Sequence, residues 1–146
     1  MTANDNGYRP AGTHLLLDFW GASGLGDKDG IDAALREAAD ACGATLLDMR
    51  LHQFGGEGGV TGVALLAESH ISIHTWPENG YAALDIFVCG GCDPEKAVAP
   101  LRQRFNPARF EITTVARGLR ADISSKGCTT PLNEAPKPHK PSFDFS

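Results

Sequence analysis

The sequence predicts an α+β fold: a two-layer sandwich with a mostly antiparallel sheet and two helices on one face, in the order β-α-β-β-β-β-α-β. Three observations carry this. Helical spacing of apolar residues occurs in two segments, one before residue 44 and one after residue 93. The stretch between them holds successive strand-like runs joined by short turns. Two of those runs, Ser69–Trp76 and Tyr81–Cys89, alternate apolar and polar residues strictly, as half-buried strands do.

Residues 1–12 are polar and glycine-containing and are expected to be a flexible N-terminus. Thr13–Trp20 (THLLLDFW) reads as the first strand, and the Gly, Ser and Asp of residues 21–30 as a loop. A helix starts at Asp29 or Gly30, runs on Ile31, Ala34, Leu35, Ala38, Ala39 and Cys42, and stops at Gly43. Ala44–Phe54 is a strand. The dense glycines from Gly55 to Gly59 imply positive φ or a close backbone approach. Val60–Ala67 is apolar on both faces, like a central strand. After Tyr81–Cys89, Asp93-Pro94 opens a second helix over Glu95–Phe105, where Pro100 is out of place in a helix interior. Arg109–Ala116 is the last strand. From Leu119 the chain turns proline-rich and poor in core formers, so residues 119–146 are expected to be an unstructured tail, and 13–118 a single domain.

Composition narrows the function classes. At 42% hydrophobic and 21% charged residues, this is an ordinary globular chain, long enough at 146 residues to bury its own core. A net charge of −5 without a basic run outside the tail argues against nucleic acid and anionic membranes. No apolar run reaches membrane-spanning length and no signal peptide is evident, so a cytoplasmic location is expected. In that compartment the four cysteines, Cys42, Cys89, Cys92 and Cys128, are expected to be thiols.

Alternation also assigns faces. Ile71 and Ile73 point one way and His70, Ser72 and His74 the other; Leu84, Ile86 and Val88 oppose Asp85, Phe87 and Cys89. With the apolar sets under the helices, His74 and Cys89 share the other face. His70 and His74 do not form a metal pair, because four residues of strand span roughly 13 Å. No metal site is expected. Cys89-Gly90-Gly91-Cys92 lacks the second CxxC of a zinc site and the helix-start context of a thioredoxin-like pair. A Cys89–Cys92 redox switch is a separate reading of that spacing. The glycine loop lacks the Lys-Ser/Thr of a phosphate loop.

ESHISIHTWPE (Glu68–Glu78) followed by GYAALDIFVCG resembles the S-adenosylmethionine decarboxylase proenzyme family in its short prokaryotic, pyruvoyl-dependent form, with HLLLDFW, ACGAT, HQF and GVTGV in the family's order. The resemblance covers residues 13–118. It implies a self-processing enzyme cleaved between Glu68 and Ser69. Ser69 becomes a pyruvoyl cofactor in place of pyridoxal phosphate and forms a Schiff base with the substrate amine. The resemblance gives His74 the role of removing the Ser69 α-proton during processing, and Cys89 that of donating a proton to the product. Thr61 stands where the family usually has a serine that assists processing, and the glycine loop is one residue longer than usual, without its proline. Phe54 is assigned to stacking on adenine, with a core position as the competing reading, and Glu78 to a polar substrate contact. The implied reaction converts S-adenosylmethionine to its decarboxylated form, the aminopropyl donor of spermidine and other polyamines. A pyruvoyl decarboxylase acting on arginine or ornithine would share the processing residues. A non-cleaving regulatory relative would share only the fold. The uncovered sheet face predicts a homodimer packed through its sheets.

Overall fold

The computed structural model of the protein describes residues 10–118. The elements are β1 (Gly12–Trp20), α1 (Lys28–Cys42), β2 (Leu46–Gln53), β3 (Val60–Leu66), β4 (Ser69–Trp76), β5 (Tyr81–Cys89), α2 (Val98–Phe105) and β6 (Arg109–Arg117). They form the predicted α+β arrangement. The six strands make one sheet in the order β2-β3-β4-β5-β1-β6, and every neighbouring pair is antiparallel. Strands β2 to β5 follow each other as a meander. Strand β1 then lies between β5 and β6, which brings residues more than 70 positions apart into register, such as His14 opposite Phe87.

One face of the sheet is the core. Leu15, Leu17 and Phe19 of β1, Ile71 and Ile73 of β4, and Ile86 and Val88 of β5 are buried against Ile31 and Leu35 of α1 and Leu101 and Phe105 of α2. Each such side chain stabilises the fold by about 1.5–3 kcal/mol when removed from water. The other face is open. It carries Leu65, His70, Phe87, His14 and Val115 side by side across five strands, and Leu16, Leu65 and Val115 are exposed.

Helix α1 starts at Lys28, slightly before the expected Asp29 or Gly30, because the Asp27 carboxylate caps it by accepting from the Gly30 N–H at 3.0 Å. Gly43, at φ 78°, closes it in the left-handed conformation. The second helix is shorter than expected. Pro94–Ala97 is a 3-10 turn, opened by the Asp93 carboxylate accepting from the Glu95 N–H, and α2 begins only at Val98. Pro100 is thereby in the first helical turn, where its missing N–H would have had no intrahelical partner. The strand expected over Ala44–Phe54 is trimmed to Leu46–Gln53: Ala44 N–H is held by the α1 carbonyl of Ala39, and the register slips between Leu46 and Asp48. Strand β1 starts at Gly12, inside the expected flexible terminus, where an added Cβ would lie 2.7 Å from the Phe87 ring. The tail, residues 119–146, lies outside the described residues. No helix among the described residues is long and apolar enough to cross a membrane.

The glycine loop meets both expectations. Gly55 has φ 64°, and a Cβ on Gly59 would sit 2.2 Å from the Thr75 carbonyl oxygen. Gln53 Nε2 donates to the carbonyls of Gly26 and Gly58 and ties the loop to the segment ahead of α1.

Candidate active site

At one end of the open face, β3 turns into β4 through two residues, Ala67 and Glu68. Glu68 has φ 60°, one of two described non-glycine residues at positive φ. That conformation costs an L-residue about 1–2 kcal/mol. Its peptide bond leads into Ser69, the first residue of β4, and β5 ends beside it at Cys89. The Cys89 thiol donates to the Glu68 carbonyl oxygen at 3.4 Å, and its sulfur lies 3.7 Å from Ser69 Oγ. Glu68 Oε2 is 3.6 Å away. Strand alternation alone would align Ser69 with Ile71 and Ile73. Its place directly after the left-handed Glu68 brings its hydroxyl to the thiol instead. Burial raises the Cys89 pKa above its ordinary value, the Ser69 hydrogen bond opposes that, and the neighbouring Glu68 adds to it. The net effect keeps the sulfur protonated at neutral pH, the state a proton donor requires.

Cys92 lies in a different environment and is disulfide-bonded, against the expectation of a thiol. It is buried, with its sulfur 3.6 Å from the Gly43 carbonyl oxygen at the end of α1. The CxxC spacing therefore aims its two side chains at different neighbours, because the turn after β5 carries Cys92 under the helices.

At the other end of the face, His74 is exposed and its Nδ1 is 3.2 Å from Thr61 Oγ1, its cross-strand neighbour. The threonine thus keeps the hydrogen bond that a serine would make. Phe54 is 56% exposed, which removes the core reading, and its ring meets that of His52 at 4.6 Å. Glu78 is exposed in the 3-10 turn Pro77–Asn79 that follows β4. Trp76 stacks on Tyr81 at 5.3 Å beside it. The Tyr81 hydroxyl donates to Asp18, and that hydrogen bond pushes its pKa up to about 12. Below this end Thr75 is buried, accepting from the Val60 N–H at 2.8 Å and donating to the Leu25 carbonyl at 2.7 Å.

His74 and Cys89 do share the open face, as alternation predicts, yet they occupy opposite ends of it. Five residues of strand put about 17 Å between Ser69 and His74 of one chain. Between the two ends lies a cluster that sequence reading missed. Asp85 Oδ2 accepts from His14 Nε2 at 2.6 Å and from His70 Nε2 at 2.7 Å, while its other oxygen accepts from the Ser72 hydroxyl. Burial would raise the Asp85 pKa, but the Ser72 hydroxyl and the two imidazoles outweigh it and hold the carboxyl below its ordinary range. Ionisable residues at open-face positions were visible in the sequence. That β1 lies beside β5 was not.

An antiparallel sheet with helices on one side thus gathers a thiol, a hydroxyl and a carbonyl at the turn between β3 and β4. The sequence profile of the family described as S-adenosylmethionine decarboxylase matches residues 13–118, and the chain belongs to that family. It is 49% identical over 110 residues to the S-adenosylmethionine decarboxylase proenzyme of Methanococcus aeolicus, covering 73% of this chain and 93% of that one. To the proenzyme of the same name from Thermomicrobium roseum it is 44% identical over 112 residues, covering 76% and 97%. The crystal structure of the adenosylmethionine decarboxylase from Aquifex aeolicus superposes with a TM-score of 0.68 at 34% identity, over 81% of this chain and 99% of that one.

Proposed function

We propose that the protein is a self-processing, pyruvoyl-dependent decarboxylase of S-adenosylmethionine. The observation that carries this is the contact of Ser69 Oγ, the Cys89 thiol and the Glu68 carbonyl around one peptide bond. Ser69 Oγ bonds to the Glu68 carbonyl carbon, the C–N bond breaks with a proton going to nitrogen, and an ester results. Loss of the Ser69 α-proton and of the Glu68 carboxylate leaves dehydroalanine. Water then replaces its nitrogen, releasing ammonia, so that residue 69 becomes a pyruvoyl group heading the second chain. That group supplies a ketone that takes up the substrate amine and the electron pair left by departing carbon dioxide. Cys89, held protonated beside it, is positioned to return a proton to the product carbon.

The base for the Ser69 α-proton is His74, and a separation of about 17 Å prevents it from serving its own chain. A second copy packed face to face on the open sheet supplies it, with Thr61 orienting the imidazole. The exposed Leu16, Leu65 and Val115 give that homodimer its apolar contact, and Phe54 and Glu78, at the His74 end, fall beside the partner's Ser69 end. Phe54 stacks on the adenine and Glu78 makes a polar substrate contact. The need for Cys89 as a thiol fits a cytoplasmic enzyme.

Intact-mass measurement tests the reading. The purified protein is expected as two chains, Met1–Glu68 and a 69–146 fragment lacking an α-amine, releasing carbon dioxide from S-adenosylmethionine. Ser69→Ala is expected as one inactive chain. An uncut, inactive wild-type chain would overturn the proposal.

A further inference from the structure

We propose that His14, His70 and Asp85 form a binding site for one divalent first-row cation of the zinc type on the open face of the sheet. The three residues come from β1, β4 and β5, and one ligand atom from each lies within 4.8 Å of the other two. His14 and His70 present Nε2 to the same carboxylate oxygen, at 2.6 and 2.7 Å. Ligands about 2.1 Å from a tetrahedral ion sit about 3.4 Å apart, so an ion enters if these atoms separate by less than about 1 Å and each Nε2 gives up its hydrogen. Two imidazoles and one carboxylate match a borderline-soft ion and leave a fourth position, which faces the second copy in the homodimer proposed above. Ser72 holds the second oxygen of Asp85 and so fixes the carboxylate's orientation, as partners of metal ligands do.

One neighbour opposes the ion. The Nη1 of Arg117, an exposed residue at the end of β6, lies 3.3 Å from His14 Nδ1. With Nδ1 accepting from the guanidinium, the imidazole proton stays on Nε2. A cation on Nε2 moves that proton to Nδ1, where it faces another donor. Arg117 therefore weakens the site, and its removal exposes the site's full affinity. The site uses none of the processing atoms, although His70 directly follows Ser69: among the described hydrogen bonds none joins its three ligands to Glu68 or Ser69.

Co2+ titration of the full chain tests this, with circular dichroism confirming the fold of each variant. Wild type and Ser69→Ala are both expected to take up one chelator-reversible Co2+ per chain, with the strong visible d–d bands of a tetrahedral ion and no thiolate charge-transfer absorption. Retention in Ser69→Ala separates the site from self-processing. His14→Gln and Asp85→Asn are each expected to weaken binding by about 10-fold or more, and Arg117→Ala to tighten it. If Asp85→Asn does not fold, His14→Gln alone decides. No uptake by wild type, uptake with thiolate absorption, affinity indifferent to the ligand variants, or no gain in Arg117→Ala overturns the site.

Discussion

The two ends of β4 solve different problems. Its first residue follows a left-handed Glu68 in a two-residue turn, and its hydroxyl touches a thiol that also reaches the preceding carbonyl. Its last turn is braced: Thr75 joins Val60 to Leu25 from below, and Trp76 stacks on Tyr81, whose hydroxyl is held by Asp18. One end puts the left-handed Glu68 directly before the bond that the proposed processing breaks. The other holds an imidazole still, on a foundation that continues into the core. In the proposed processing, the bond that breaks and the base that acts next on it need opposite mechanical surroundings, and one strand provides both about 17 Å apart. In the homodimer proposed above, a face-to-face second copy would bring unlike ends together.

The largest test of this division mixes chains. Ser69→Ala and His74→Ala are each expected to remain uncut when expressed alone. Expressed together, hybrid dimers contain one complete site, and part of the His74→Ala chain is expected to be cleaved at Glu68-Ser69. Mass analysis finding the mixture wholly uncut, or His74→Ala cleaved by itself, breaks the comparison. A smaller effect sharpens the braced end. Thr75→Val leaves the buried Val60 N–H and Leu25 carbonyl without the hydroxyl and is expected to cost about 1–3 kcal/mol, read as a lower denaturant midpoint. The smallest is spectroscopic. Tyr81 is held protonated up to about 12 by its hydrogen bond to Asp18, against an ordinary value of 10.0. A phenol whose pKa is raised on folding adds stability that is complete below the unfolded value and is lost as pH climbs through the folded one. An alkaline absorbance titration is expected to show one tyrosine step near 12 in wild type, moved toward 10 in Asp18→Asn. A wild-type titration already complete near 10 would remove the brace.

The reach of sequence reading follows the range of the forces involved. Gly43 stopped a helix and Asp93-Pro94 opened the 3-10 turn ahead of α2 because capping acts within a few residues. Pro100 misled only about length, since its effect depends on whether it falls in the first turn or the interior. The facing of His74 and Cys89 was legible because a strand's period is two, but their separation along the face depends on the register between β4 and β5. Phe54 could have been core or surface on sequence, and only the sheet edge placed it at 56% exposure.

By itself the sequence determined the elements, the faces of the alternating strands apart from Ser69, and the family resemblance, because periodicity, caps and contiguous motifs are local. The tertiary structure decided what depends on non-consecutive strands meeting. It placed β1 between β5 and β6, so that His14, His70 and Asp85 converge, and it set Ser69 with Cys89 and His74 with Thr61 at opposite ends. Strand neighbours separated by 71 residues leave no periodic trace in the chain, and only the assembled sheet brings them within a hydrogen bond.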